Sequence, residues 1–372
     1  MNSRARFECT MDHRQPDRVP IDLCGTSLTG MRPFCQEQLC HLLGFPEIPS
    51  QAHNGIDQRI LEWAGTDFRS VGSIVDLPSS HTQKITSTSY IDCWGVHRAF
   101  VEGDWQITES PLRGASSEDL NSFQWPEPRI DEKLLATWES QAKDLRSMDQ
   151  YVVIAEHPVL GILELGCWMC GYDDFLLRLA ADPDFVRSFF DKVLEIQLAI
   201  VEQYYGALGP YIDLTTSGDD FGTQNGPLLS PTMFETLIAP YFAARIARTK
   251  ELGKCYYWHH TCGSVVKLLD QIIDCGVDIL NPVQTSAAEM SPGPLKDRFG
   301  DRIVFWGGVD VQQFLPRALR EEVPDHVNGL VHVLGREGGY VMAPAHEIQD
   351  DVPAANIVAW IEAVRDPQDS GQ

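Results

Sequence analysis

Features that would place the chain in several common protein classes are missing from its 372 residues. No run of 18 apolar residues occurs, which argues against a transmembrane helix. The charged segment Met1–Arg18 lacks the apolar stretch of a secretory signal, so we expect a cytoplasmic protein. The ten cysteines have no regular spacing, and without a signal they are expected to be reduced thiols.

Basic residues are scarce. Lysine and arginine number 29 against 53 aspartates and glutamates, which gives a formal net charge of −24. Such a charge opposes binding to nucleic acid and to anionic membrane surfaces. It leaves room for basic partners or cationic ligands, although a solvated acidic surface is the simpler interpretation. We therefore expect a small-molecule substrate, and the sequence does not indicate an oligomeric state.

The chain also lacks internal repeats and any linker rich in glycine, serine or proline, which predicts one domain over residues 1–372. Short apolar runs instead alternate with helical patterns. Runs of five to eight residues rich in β-branched and aromatic side chains are typical of buried parallel strands. The eight runs are Arg18–Leu23, Phe68–Val75, Tyr151–Glu156, Tyr211–Thr216, Lys254–His260, Val277–Val283, Ile303–Gly307 and Tyr340–Pro344.

Helix start signals lie between these runs. Asp182-Pro183 and Ser230-Pro231 each place a capping residue before a proline, and Ser264 and Asp351 open two further helical patterns. Eight alternating units predict parallel pairing in a (β/α)8 TIM barrel, an α/β fold. Residues 77–138 do not follow the alternation, and two hairpin strands are predicted there, around 83–91 and 96–108. We expect this segment to be an insertion after the second strand that folds over the barrel mouth.

Polar side chains follow most of the predicted strands. Active sites of such barrels lie at the carboxyl ends of the strands, so these side chains should meet at one end. The pair Asp219-Asp220 could hold a cation, accept a substrate hydrogen bond or act as acid and base. Alternatively, one carboxylate faces solvent and the other caps a helix. The side chains at these ends include Glu156, Asp219, Asp220, His260, Cys262, Asn281, Gln284, Asp310, His346 and Glu347.

The sharpest local motif is His260-Thr261-Cys262. Residues i and i+2 of an extended chain lie on the same side, and imidazole and thiolate are both zinc ligands. A third ligand would have to come from elsewhere in the chain. The triplet alone often occurs by accident, and Cys167-x-x-Cys170 is a rival site for which two packed thiols are the simpler interpretation.

Several blocks resemble the uroporphyrinogen decarboxylase superfamily over nearly the whole chain, most weakly in the first 160 residues. The family fold is a (β/α)8 barrel, in agreement with the count of strands. The blocks are Pro16–Pro20, Gly218–Gln224 with the following Gly226-Pro227 and Ser230-Pro231, Asn281–Gln284, Phe305–Asp310 and Gly338–Pro353.

The resemblance favours one branch of that superfamily. Decarboxylases use no metal and carry an arginine-rich signature near the N-terminus, whereas Ile21–Met31 contains no arginine. Zinc-dependent, corrinoid-linked methyltransferases carry a His-x-Cys motif that His260 and Cys262 match. Their third ligand is a cysteine after the eighth strand, and His346 stands at that position here. The resemblance therefore implies zinc on His260, Cys262 and His346, with one thiolate fewer and a more positive metal.

These inferences predict a methyltransferase that moves a methyl group between a corrinoid on a separate protein and a small acceptor, a thiol or a folate. Two alternatives stay open. One is a metal-free decarboxylase or lyase for a tetrapyrrole or another carboxylate, with His260 and Asp220 as acid and base; the other is a non-catalytic barrel that binds a corrinoid or tetrapyrrole. We predict catalytic roles for Asp220, Glu156 and His260, and substrate contacts for Asp219, Gln284, Asp310 and Glu347.

Overall fold

A computed structural model describes residues 1–46, 52–53 and 55–365. Its centre is a seven-stranded parallel sheet in which neighbours in space are neighbours in sequence. That order is expected of consecutive strand–helix units with right-handed crossovers. The strands are β1 (Phe68–Val71), β2 (Val152–Ala155), β3 (Leu214–Thr215), β4 (Tyr256–His260), β5 (Ile279–Val283), β6 (Val304–Val309) and β7 (Tyr340–Pro344).

A short segment near the N-terminus joins the two edges of this sheet. Ile21 forms a parallel bridge with Met342 of β7, where the Asp22 amide donates to the Met342 carbonyl at 2.9 Å. On the other side, the Asp67 amide donates to the Ile21 carbonyl at 2.9 Å, beside β1. The sheet is thereby closed into a TIM-barrel-like ring.

The predicted first strand, Arg18–Leu23, is reduced to this bridge. Pro20 has no amide hydrogen to contribute to a ladder, and Cys24 has a φ of 62°, which ends the extended backbone. The predicted fourth strand is also shorter than expected, because Gly209–Tyr211 forms a 3-10 turn before β3. The other six predicted strands contain or overlap the observed ones.

The interior of the barrel is packed with large side chains. Phe7 of the first helix closes its amino-terminal end against Phe68, with ring centroids 5.7 Å apart. Trp258 and Trp306 fill the middle, with centroids 5.7 Å apart. Because successive strand residues face opposite sides, the alternate residues pack outward against the helices. The packed interior therefore leaves the carboxyl ends of the strands as the place for a cavity of the barrel.

The helices surround the sheet. Of the four start signals read from the sequence, Asp182 and Ser230 cap the helices that follow, and Asp351 precedes the last helix by three residues. The helix predicted to open at Ser264 begins only at Leu269. Asp182 caps the longest helix by accepting from the Phe185 amide. Pro231 begins a helical run that reaches Gly253 through a π-helical turn, Phe234–Ile238. The helices are α1 (Ser3–Met11), α2 (Pro33–Leu42), α3 (Gln58–Ala64), α4 (Ser117–Ser122), α5 (Glu132–Met148), α6 (Ile162–Cys170), α7 (Tyr172–Ala181), α8 (Pro183–Leu208), α9 (Pro231–Met233), α10 (Ala239–Gly253), α11 (Leu269–Asp274), α12 (Pro292–Phe299), α13 (Val323–Leu334) and α14 (Ala354–Arg365).

The segment 77–138 contains a separate four-stranded antiparallel sheet. Its strands are Gln83–Lys84, Ser89–Ile91, His97–Val101 and Asp104–Glu109, so each of the two predicted hairpin strands is itself a pair of antiparallel strands. The predicted end at Trp138 falls inside α5, which packs on β1, β2 and α8 as a barrel helix. The role of this segment as a lid stays a prediction. In the described part of the chain, no helix combines the length and apolar character needed to cross a bilayer.

Candidate metal centre and cavity

A cavity of about 610 Å³ lies at the carboxyl ends of the strands. Its wall combines carboxylates, three histidines, small hydroxyl side chains and an apolar side that includes Leu160 and Trp168. The predicted residues Glu156, Asp220, His260 and His346 all line it. The cavity thus occupies the position at which barrel enzymes of this kind carry their active sites.

Three donor side chains meet at this cavity. His260 ends β4, Cys262 follows two residues later, and His346 lies in the loop after β7. One ligand atom from each lies within 4.8 Å of the others, and His260 Nε2 is 3.2 Å from Cys262 Sγ. His260 is buried, whereas His346 is exposed at the mouth. To bind one zinc ion with bonds of about 2.0–2.3 Å, the three ligand atoms would have to move only slightly closer together, which small side-chain rotations allow.

Asn281 fixes the orientation of the His260 ring. Its amide nitrogen donates to the Trp306 carbonyl at 3.3 Å, so its oxygen faces His260 Nδ1, 2.6 Å away. Nδ1 is therefore the protonated nitrogen, and the lone pair on Nε2 points toward Cys262. Burial lowers the pKa of His260 and so favours the neutral ring that a metal requires. A ligand histidine held through its other nitrogen is typical of zinc sites.

Two further side chains hold the backbone beyond β4. Asp220 Oδ1 accepts from the Cys262 amide at 2.7 Å, and Gln284 Oε1 accepts from the Gly263 amide at 2.7 Å. Gly263 has a φ of 81°, and a Cβ there would lie 2.6 Å from the Thr223 carbonyl oxygen. Only glycine suits this turn, which directs the Cys262 thiol back toward His260.

Glu156 stands in the cavity wall with its oxygens already bonded. It accepts from the Ser27 amide at 2.8 Å, the Ser27 hydroxyl at 3.2 Å and the Thr216 hydroxyl at 3.1 Å. Burial raises the pKa of this carboxyl, and these hydrogen bonds oppose the rise. Glu156 therefore ties the loop at Ser27 to the barrel, and its catalytic role stays a prediction.

The four residues predicted to contact substrate are not among the residues that line this cavity, and their contact with substrate stays a prediction. Asp219 is fully buried and accepts from the Leu163 and Glu164 amides at 3.0 and 2.9 Å, so it caps the start of α6. The amides at a helix start have no partner within the helix and favour a negatively charged acceptor.

The other three residues also have partners within the protein. Gln284 is committed to the Gly263 amide, as described above. Asp310 accepts from the amides of Gln312 and Gln313 at 2.7 and 3.0 Å and so organises the turn after β6. Glu347 pairs with Arg32 at 3.0 Å, which anchors the loop that carries His346. Polar residues at strand ends thus build the rim as well as the cavity.

Glu164 and Trp168 are cavity residues that sequence reasoning missed. Both lie on α6, whose sequence ILELGCWMC contains Glu164 as its one charged residue. A lone carboxylate in an apolar helix was the available signal. Burial, followed by the charges of Asp219 and Asp220, raises the pKa of Glu164.

The rival cysteine pair has a different environment. Cys167 and Cys170 lie in α6 as buried free thiols, and burial raises the pKa of both. Among the described residues, the three-donor group at the cavity is the one that brings enough ligand atoms together for a metal. Neutral buried thiols of this kind behave as small apolar side chains.

A parallel barrel with a polar cavity and three convergent donor side chains defines a TIM-barrel-like protein with a candidate metal centre. The family model for uroporphyrinogen decarboxylase (URO-D) matches residues 107–367, so the chain belongs to that family. A uroporphyrinogen decarboxylase from Coxiella burnetii is 23% identical over 287 residues, covering 74% of this chain and 73% of that protein. One from Wolinella succinogenes is 29% identical over 90 residues, covering 24% and 23%.

A solved structure has the same fold. The methyltransferase from Methanosarcina mazei superposes with a TM-score of 0.66 at 16% identity, and the match covers 98% of this chain and 99% of that one. This likeness extends the fold to the first 106 residues, which the family model leaves out.

Proposed function

We propose that the protein is a zinc-dependent methyltransferase. It moves a methyl group between a corrinoid on a separate protein and a small acceptor, a thiol or a folate. The observation that carries this proposal is the convergence of His260, Cys262 and His346, with ligand atoms within 4.8 Å at the edge of a 610 Å³ cavity. Three protein ligands and an open position form the usual arrangement of a catalytic zinc site.

The donor set suits zinc. Two imidazoles and one thiolate are intermediate in softness, and the Asn281 hydrogen bond leaves His260 Nε2 free to bind a metal. A zinc ion held here would supply Lewis acidity to an acceptor at its open position. With one protein thiolate in place of two, an ion held by these residues would keep more positive charge, so an acceptor thiolate would bind more tightly and be less nucleophilic.

The chain's own residues would prepare the cavity. Asn281 holds the tautomer of His260, and Asp220 holds the turn that aims Cys262. Leu160, Trp168 and Leu28 shield one side of the cavity from water, which strengthens electrostatic interactions inside it. His346, exposed at the mouth, lies where a partner protein could approach. The likeness to a methyltransferase structure over nearly the whole chain supports the proposal of methyl transfer.

Decarboxylation is the second candidate, because the curated relatives carry that name. A metal-free decarboxylase or lyase would use His260 and Asp220 as acid and base. The charge of the cavity opposes a substrate with several carboxylates, since no lysine or arginine occurs among the described residues of its lining. A barrel that binds a corrinoid or tetrapyrrole without turnover is the third candidate, and the absence of methyl transfer from any donor would favour it.

The amount of zinc per chain, measured in the wild type and three variants, tests the proposal. Wild type should hold one zinc, His346→Ala should lose most of it, and His346→Cys should keep it, because thiolate is a strong zinc ligand. His332→Ala, which removes an exposed histidine from α13, is the matched control and should keep full occupancy. Equal zinc in all four proteins would remove His346 from the ligand set. Absence of zinc from the wild type would overturn the proposal.

A further inference from the structure

The cavity has an unbalanced charge. Three carboxylates line it, and none of the described lining residues is lysine or arginine. Glu156 is matched by donors from Ser27 and Thr216, and Asp220 by the Cys262 amide. Within the described chain, the Glu164 carboxylate accepts no hydrogen bond and joins no ion pair. One acidic group of the cavity therefore lacks a partner that the protein supplies.

An aromatic ring stands beside this carboxylate. Trp168 follows Glu164 by four residues on α6, so the two side chains share one face of the helix, and both line the cavity. The ring is held in place because its Nε1 donates to the Tyr172 hydroxyl at 3.3 Å. A carboxylate next to an indole is the combination that recognises organic cations, through charge and through the negative face of the ring.

The ring already contacts one cation of the protein. The guanidinium of Arg98 lies 4.6 Å from the Trp168 ring centroid. Arg98 lines a neighbouring cavity, and its charge is matched by Asp92 at 3.0 Å. Arg98 therefore does not pair with Glu164. Its contact with the indole shows that the Trp168 ring is placed to bind a positive charge.

Electrostatics favour a positive ligand over an anionic one. Burial and the neighbouring Asp219 and Asp220 raise the pKa of Glu164, which reflects the cost of a negative charge there without a counter-ion. A bound cation would offset that cost, whereas an anion would add to it. The excess of acidic residues over the whole chain, 53 against 29, acts in the same direction.

We propose that the small molecule bound in this cavity is an organic cation, a protonated or quaternary amine whose charge lies against Glu164 and the ring of Trp168. The inference rests on the proposed function in one respect: it takes the acceptor of the methyl transfer to be a thiol carried by this cation, while the ammonium nitrogen, which has no lone pair, only anchors the molecule. The cation binds at α6, and its reacting group extends toward His260 and His346 in the same cavity.

Two isosteric probes isolate the effect of charge. Choline and 3,3-dimethylbutan-1-ol have the same shape, but only choline is charged, and neither binds zinc strongly. Calorimetric titration of both into the zinc-loaded and the metal-free protein gives their affinities. Choline should bind at least about tenfold more tightly, the range expected of a desolvated cation next to an indole and a carboxylate. Equal affinity, no binding of choline, or tighter binding of 3,3-dimethylbutanoate would overturn the inference.

Variants show whether the proposed residues are responsible. Glu164→Gln keeps the shape of the side chain and should remove the preference for choline. Trp168→Leu should reduce it, and Trp168→Phe should restore part of it. Glu235→Gln removes the same charge from an exposed position and should leave the preference intact. A preference that survives Glu164→Gln would refute the assignment. Circular dichroism of each variant excludes loss of fold as the cause.

The outcomes separate this inference from the proposed function. A choline preference in a protein that binds no zinc would leave the cation site standing and refute the metal-dependent function. Zinc binding and methyl transfer without a choline preference would do the reverse.

Discussion

Removal of the Asn281 side-chain amide should lower the zinc affinity, because this group holds the ring of His260. The side chain is buried, and its oxygen accepts from His260 Nδ1 at 2.6 Å. Asn281→Ala leaves that N–H buried without a partner, which costs about 1–3 kcal/mol of unfolding free energy. It also frees the ring to rotate and to change tautomer, and loss of such a partner costs about 10–100-fold in metal affinity. Competition with a chelating dye of known zinc affinity measures the effect.

A second buried asparagine provides the control. Asn356 donates to the Leu315 and Ala318 carbonyls at 2.9 Å, away from the cavity. Asn356→Ala should lose a similar amount of stability and keep its zinc affinity. Asn281→Asp should retain zinc, because a carboxylate accepts the same hydrogen bond and makes the ring more basic. If the two alanine variants bound zinc equally well, the proposed role of Asn281 would be refuted.

Two further predictions concern stability. Burial raises the pKa of Asp22 to about 7, so the folded state holds this proton more tightly than the unfolded chain does. The resulting stabilisation is present at low pH and is lost as the pH rises from the usual pKa of 3.8 toward 7. Urea unfolding should therefore show that the unfolding free energy of the wild type falls relative to that of Asp22→Asn between pH 3.8 and 7 and stays level above pH 7. Gly166→Ala would put a Cβ 2.2 Å from the Phe175 ring and should cost about 1–3 kcal/mol, measured by thermal unfolding. Gly329→Ala, in open space on α13, should instead add about 0.5–1 kcal/mol, and destabilisation there would contradict the argument.

The fold could be predicted from the sequence because its strands are buried on both sides. Such strands are continuous apolar runs, and Tyr340–Pro344 was predicted with the bounds that it has. The first strand could not be delimited, because its partners, Met342 and Asp67, are far away in sequence and the pairing involves one bridge. The limit of the segment 77–138 was misplaced because α5 begins with a polar turn that continues the composition before it.

The candidate metal ligands could be predicted, but the surroundings of the cavity could not. His260 ends a strand and Cys262 follows it, and the carboxyl end of a barrel strand is a sufficient guide to their location. Asp219 and Asp220 are adjacent in sequence, and nothing in their order indicates that one caps α6 and the other faces the cavity. Glu164 lies in a helix after a loop, where the same guide does not apply.

The pairing of residues 21 and 342 has a consequence for how the protein is made. A ribosome releases the chain from its N-terminus, so the segment that closes the barrel emerges before any of the seven strands, and its partner β7 emerges last. Until then β1 and the newest strand present open edges, which are able to pair with other chains. Such late closure over a long loop slows folding and prolongs that exposure, so a chaperone should matter most during the final stage of synthesis.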